Sequence, residues 1–63
     1  MQSRLAVRYL DWGLRKETGQ SYQEWVAQRR PEASWYQIAL ELSRLTGVDA
    51  SPETIRRWYE NPL

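Results

Sequence analysis

Two adjacent arginines, Arg56 and Arg57, lie between Ile55 and Trp58 near the end of a chain of 63 residues. Each guanidinium group presents a flat fork of N–H donors that matches guanine O6 and N7, or the oxygens of a phosphate. The preceding residues 51–54, Ser-Pro-Glu-Thr, are typical of a helix start, with serine as the N-cap and proline at the first helical position. At about 100° per residue the two arginines fall opposite Ile55 and Trp58. The stretch therefore predicts a short helix with an arginine-bearing outer face.

That outer face has two interpretations. In the first it is solvated, and Glu53–Arg57 and Arg56–Glu60 form i,i+4 ion pairs, each worth about 0.3–0.5 kcal/mol. In the second it is the recognition helix of a DNA-binding motif, whose side chains enter the major groove. The candidate DNA-binding residues are then Ser51, Glu53, Thr54, Arg56 and Arg57. The two arginines would contact base edges or phosphates, residues 53 and 54 would contact bases, and the N-cap serine would touch phosphate.

The composition offers little for catalysis or metal binding. The chain has no cysteine and no histidine, and therefore lacks the commonest metal ligand and the commonest general base. Its eight acidic residues are scattered among nine basic ones. The sequence contains no glycine-rich phosphate loop, nucleophile–base pair or metal-ligand spacing. We predict that the protein is not an enzyme and takes no metal, cofactor or small-molecule substrate.

Length and composition predict one small domain over residues 1–63, with a helical pair in 1–31 and a second pair in 34–60. Four tryptophans and four tyrosines supply the core, since each buried aromatic side chain removes about 150–250 Å² from water. The lack of cysteine fits a reducing cytoplasm. No apolar run approaches the ~18 residues of a membrane span, and no signal-peptide pattern is present, so we expect no membrane partner. The formal net charge is only +1, so any attraction to nucleic acid must come from local clusters.

The first two predicted helices cover about residues 3–17 and residues 22 to about 30. Thr18-Gly19 ends the first helix, a capping box in residues 21–24 begins the second, and Pro31 stops it. The apolar residues that recur at helical spacing on the first helix are Leu5, Ala6, Tyr9, Leu10, Gly13 and Leu14, and Val7 and Trp12 widen the stripe. Gly13 costs about 1 kcal/mol relative to alanine inside a helix, which a close crossing with another helix would explain.

The third and fourth predicted helices begin at a capping box in residues 34–37 and at the serine–proline pair 51–52. The apolar stripe of the third helix is Trp35, Ile38, Ala39, Leu42 and Leu45, and Thr46-Gly47 ends it. On the fourth helix Ile55, Trp58 and Tyr59 point inward, against the third helix, and Asn61-Pro62 closes it. The pattern predicts an all-α fold of four short helices without a β-wing.

The stretch SWYQIALELSRLTGVDASPETIRRWYE, residues 34–60, resembles the helix-turn-helix segment of small regulators from actinobacteria and their phages. The shared features are Trp followed by Ile-Ala on one helix, a Thr-Gly-Val turn, and Ser-x-Glu-Thr-Ile-Arg-Arg-Trp on the next. Residues 17–31 are also similar to the segment that precedes the motif in such proteins. Ser43 supplies the expected small residue, whereas Ile55 lies eight positions after Gly47, so the turn is about two residues longer than in the common motif.

The resemblance implies a sequence-specific double-stranded DNA-binding protein of the repressor, Cro or excisionase kind. It would be a phage or bacterial transcriptional regulator in the cytoplasm of a bacterial host cell, with its last helix in the major groove. Candidate phosphate contacts are Arg29, Arg30 and Arg44. For the first two, favourable placement at a helix C-terminus is the alternative explanation.

Tyr36 and Leu40 lie off the predicted core stripe of the third helix, and with Trp12 they would form an exposed apolar patch. An exposed apolar patch in so small a chain indicates a partner surface or a weak homodimer. The alternative function is accordingly that of a phage-encoded inhibitor or adaptor, which would act on a host protein through this aromatic surface.

Overall fold

The computed structural model describes residues 2–61, with side chains from Leu5 onward. It contains four α-helices: α1 (Gln2–Thr18), α2 (Tyr22–Arg29), α3 (Trp35–Thr46) and α4 (Pro52–Glu60). The predicted all-α class is confirmed, and residues 2–61 contain no strand. None of the helices in this part of the chain is long and apolar enough to cross a membrane.

The helix starts follow from local side-chain chemistry. The Oγ of Ser21 accepts from the Glu24 amide at 3.2 Å, and the Glu24 carboxylate accepts from the Ser21 amide at 3.0 Å. Ser34 and Gln37 form the same reciprocal pair at 3.2 and 3.0 Å. Each cap contributes about 1 kcal/mol because it satisfies amides that the first turn leaves without partners. Both predicted capping boxes are confirmed.

The core is apolar apart from the hydroxyl and indole groups of its aromatic residues, and all four helices contribute to it. Its buried members are Leu10, Leu14, Tyr22, Trp25, Val26, Ile38, Ala39, Leu42 and Ile55. α4 supplies only Ile55 to this set, while Trp58 and Tyr59 are partly buried at its edge. The predicted inward orientation of Trp58 is therefore confirmed, although its ring is only partly buried. Trp58 lies about 60° around the helix from Ile55, where a groove beside α1 leaves part of its ring open.

The face of α1 that is buried differs from the predicted stripe. Leu10, Gly13 and Leu14 are buried as expected, but Leu5 is 71% exposed and Tyr9 59% exposed. Apolar residues surround this helix, so helical spacing alone is compatible with more than one inward face. Gly13 determines which face of α1 packs against α3, because an added Cβ there would lie 3.2 Å from both Cβ and Cγ2 of Thr46. The close crossing predicted at Gly13 is thus confirmed, and it joins α1 to α3.

Candidate nucleic-acid interface

The connection from α3 to α4 consists of residues 47–51 and is ordered by specific contacts. Gly47 ends α3 in the left-handed conformation, with φ of 80°. The Oγ1 of Thr46 donates to the Leu42 carbonyl at 2.7 Å and accepts from the Val48 amide at 3.1 Å. Val48 and Ala50 are partly buried against the core. The additional turn residues therefore pack against the protein and hold the start of α4 beside α3.

The first turn of α4 is closed by Ser51 and Thr54. The Oγ of Ser51 accepts from the Thr54 amide at 3.2 Å and donates to the Thr54 Oγ1 at 2.9 Å. Pro52 occupies the first helical position, where its missing N–H costs nothing. The predicted N-cap is confirmed, and the Ser51 side chain is exposed.

The inner side of α4 is fixed by polar contacts from α2 as well as by Ile55. The hydroxyl of Tyr22 donates to the Ile55 carbonyl, and the Gln23 side-chain amide donates to the Tyr59 carbonyl at 3.2 Å. Burial raises the pKa of the Tyr22 phenol well above its ordinary value of 10.0, and the neighbouring Tyr59 raises it further. The ring of Tyr59 also packs on Trp35, with centroids 5.7 Å apart. α2 and α3 thus jointly set the orientation of α4.

The outer side of α4 carries two i,i+4 ion pairs that overlap along the helix. Arg57 lies 3.6 Å from Glu53, and Arg56 lies 3.0 Å from Glu60, with all four side chains at least 42% exposed. Both predicted i,i+4 pairs are present. The face has no net charge, and exposed pairs of this kind contribute at most about 0.5 kcal/mol each. Little free energy therefore opposes the release of either arginine toward an external acceptor.

The three candidate phosphate contacts lie in different environments. Arg29 forms an ion pair with the Glu41 carboxylate of α3, so it links α2 to α3. The Arg30 guanidinium stacks on Trp35, 4.5 Å from the ring centroid. Arg44 is exposed and forms no ion pair with any side chain that the structure describes. Arg30 and Arg44 therefore both keep their charge for an external ligand, and Arg44 is the one whose guanidinium is not held by a stacking contact.

The candidate partner residues are all exposed, on two surfaces. Trp12 lies on α1, where it packs edge-on against Tyr9 with centroids 6.2 Å apart. Tyr36 and Leu40 lie on α3 and line a groove next to the start of α4, together with Ser43 and residues 49–52. Their exposed fractions are 58%, 64% and 45% for Trp12, Tyr36 and Leu40.

Sequence reasoning missed one polar contact that positions the site from a distance. Asp11 accepts from the Tyr22 amide at 2.7 Å with Oδ1, and from Nε of Arg15 at 2.8 Å with Oδ2. Partial burial raises the pKa of Asp11, but the hydrogen bonds from Arg15 and from the Tyr22 amide outweigh it, so the pKa falls below 3.8. The i,i+4 spacing of Asp11 and Arg15 was readable in the sequence, whereas the bond to α2 was not.

The tyrosine whose amide donates this bond, Tyr22, was also not recognised from the sequence as the link to α4. A tyrosine on the inward side of a short helix was the available signal, because a buried hydroxyl needs a hydrogen-bond partner. The identity of that partner, a carbonyl of Ile55 on another helix, required the structure.

No family model matches this chain, and neither does any curated protein or solved structure. Within the described residues no group of three or more acidic, cysteine or histidine side chains is arranged to hold a metal ion.

Proposed function

We propose that this protein binds double-stranded DNA sequence-specifically through α4, which enters the major groove, and that it acts as a phage or bacterial transcriptional regulator. The observation that carries the proposal is the two-sidedness of α4. Ile55 anchors one side in the core, while Glu53, Arg57 and the tip of Arg56 occupy the other. The helix-turn-helix resemblance of residues 34–60 supports the same element, and cytoplasmic action in a bacterial host follows from it.

The mechanism begins with an exchange of partners on the outer face. Arg57 leaves Glu53 and Arg56 leaves Glu60, and each guanidinium then donates to guanine O6 and N7 or to a phosphate oxygen. Glu53 is free to accept from the exocyclic amine of cytosine, and Thr54 bonds a base near the helix start. Because Glu53 and Glu60 repel phosphates, binding without the correct bases gains little. The acidic residues thereby favour sequence-dependent over non-specific binding.

Phosphate contacts would come from the ends of neighbouring helices. Arg44 has no ion pair to break and no stacking contact that limits its reach, whereas Arg29 must leave Glu41 and the Arg30 guanidinium is held over Trp35. We therefore expect Arg44 to contribute most to phosphate binding among the three. Each phosphate contact adds about 0.9 to the slope of log affinity against log salt.

A single recognition helix buries about 600–1,000 Å² on DNA, which limits its specificity. A weak homodimer through Tyr36 and Leu40 of α3 would bind two half-sites about 34–36 Å apart. Sedimentation with and without a selected duplex measures this association. A monomer that occupies a single half-site with nanomolar affinity would contradict it.

The DNA-binding proposal is tested by fluorescence anisotropy with a duplex selected from a random pool. We expect Arg57→Ala to weaken binding by about tenfold, since a bidentate arginine–guanine pair contributes about 1–3 kcal/mol. Arg8→Ala is the matched control, because Arg8 is also an exposed helical arginine but lies on α1. Equal affinity of the Arg57→Ala variant and the wild type, or no duplex retained at low salt, would refute the assignment.

The second candidate function is binding to a host protein as a phage-encoded inhibitor or adaptor. It is favoured by the exposed aromatic side chains of Tyr9, Trp12 and Tyr36. Salt separates the two functions, because DNA affinity falls steeply as salt rises while contact through an apolar surface changes little.

A further inference from the structure

We infer that the outer face of α1 is a docking surface for a helix of another protein, one with an apolar seam and an acidic border. Four residues form this surface, here named the α1 seam: Leu5, Tyr9, Trp12 and Lys16. Their spacing alternates four, three and four residues, as do the seam positions of a helix that packs along another helix. The first three are 71%, 59% and 58% exposed.

The α1 seam lies opposite the side of α1 that enters the core. Leu10 and Leu14 are fully buried, so α1 needs no further apolar partner for folding. The side chains of the α1 seam nevertheless already contact one another. Tyr9 and Trp12 pack edge to face, and Nζ of Lys16 lies 5.0 Å from the Trp12 ring. Side chains that are already in contact lose less conformational entropy when a partner binds.

The border of the α1 seam is basic. Arg8 and Arg15 lie along one edge, at the positions that face the flank of a neighbouring helix. The nearby acid, Asp11, is engaged by the Tyr22 amide and by Arg15. Because the ion pair with Asp11 offsets the charge of Arg15, Arg8 and Lys16 supply the net positive charge of this surface. That charge attracts a partner helix whose flanking residues are Asp or Glu.

A second copy of the chain does not complement this surface. An antiparallel symmetric pair places the Arg8 and Arg15 border of one copy against the same border of the other. A parallel pair needs the opposite border, at Ala6 and Gly13, to face the partner. Gly13 lies under Thr46 of α3, so that border is already covered. The charge pattern and the packing both favour a foreign acidic helix.

This docking surface is separate from α4. It rests on the second candidate function, whose partner it specifies, and not on the proposed DNA binding. The two proposals can fail independently, because DNA binding by α4 is measured with duplex DNA and docking on the α1 seam is measured with a peptide. Loss of DNA affinity on substitution of Trp12 would instead assign the α1 seam to the DNA interface and overturn the docking proposal.

The probe is a synthetic helical peptide of about three heptads, with Leu at its seam positions and Glu at its flanking positions. A matched peptide carries Lys in place of every Glu. Calorimetric titration of the whole chain should give saturable binding of the Glu peptide and at least about tenfold weaker binding of the Lys peptide.

Variants then locate the contact. Trp12→Ala should weaken binding of the Glu peptide by about tenfold, as truncation of a central aromatic anchor does, without a large change in thermal midpoint. Arg8→Glu should weaken it several-fold, whereas Arg44→Glu, an equal charge change on α3, should not.

Three further kinds of result would also overturn the proposal. One is no saturable binding of the Glu peptide, or equal affinity for both peptides. Another is unchanged affinity in Trp12→Ala. The third is seam-dependent self-association in sedimentation, or seam-dependent binding to vesicles of phosphatidylserine and phosphatidylcholine, without binding of the Glu peptide.

Discussion

Replacement of Tyr22 by Phe removes the one hydroxyl that ties α2 to the backbone of α4. Tyr22 is 3% exposed, and its hydroxyl donates to the Ile55 carbonyl. Phenylalanine keeps the ring in the core, so the change isolates the hydrogen bond. Such a bond contributes about 1 kcal/mol net, which corresponds to about 4–8 °C in the melting temperature of a domain this small.

The same hydroxyl makes the difference in unfolding free energy between the wild type and Tyr22→Phe depend on pH. Because burial raises the pKa of folded Tyr22 above 10.0, the stabilisation is fully present below pH 10 and is lost as the pH rises further. In that range only the unfolded chain releases the proton, so stability falls by about 1.4 kcal/mol per pH unit. A 1 kcal/mol advantage therefore vanishes near pH ~11, and Tyr22→Phe becomes the more stable protein above it.

Urea unfolding of both proteins at pH 7, 10 and 11 measures this difference. Tyr36→Phe is the matched control, because Tyr36 is 64% exposed and the change should leave stability almost unaltered at each pH. A constant difference between wild type and Tyr22→Phe from pH 7 to 11 would show that the Tyr22 hydroxyl is not held in the buried bond.

Three further changes test the packing that positions the candidate interface. Ile55→Ala should cost about 2–5 kcal/mol in urea unfolding, and Trp58→Ala less, because Trp58 is only partly buried; the reverse order would require a rotated α4. Gly13→Val should lower the thermal midpoint by the equivalent of about 1–3 kcal/mol, because its side chain meets Thr46, and a midpoint at or above that of wild type would contradict the close crossing. Asp11→Ala should cost about 1 kcal/mol at pH 7. Because the pKa of Asp11 is lowered in the folded state, this difference should begin to shrink near pH 3.8 and vanish as the pH falls through the lower folded pKa. A difference that is the same at pH 7 and at the most acidic pH where the protein stays folded would contradict the bond.

The helix boundaries were predictable because they depend on local chemistry. Ser21, Ser34 and Ser51 each bond an amide three residues ahead, and Gly47 supplies the left-handed conformation at the end of α3. These interactions involve neighbours in sequence, so the residue pattern alone indicates them. The ion pairs on the outer face of α4 were predictable for the same reason.

The parts that were not predictable depend on which elements meet in space. Leu5, Tyr9 and Gly13 follow one another at four-residue spacing, yet Leu5 and Tyr9 are exposed while Gly13 is buried against Thr46 of α3. The bond from Tyr22 to α4 spans 33 positions along the chain. No local pattern predicts such a contact, since many backbone carbonyls could accept a hydrogen bond from the Tyr22 hydroxyl.

The most direct test of α4 as the DNA-contacting element is NMR of the isotope-labelled chain with a selected duplex. We expect the largest chemical-shift changes at the amides of residues 51–57 that have an N–H and at the guanidinium Nε signals of Arg56 and Arg57. The amide signals of Leu5, Tyr9 and Trp12 should not shift. Changes concentrated on those three residues, with residues 51–57 unaffected by saturating duplex, would contradict the assignment.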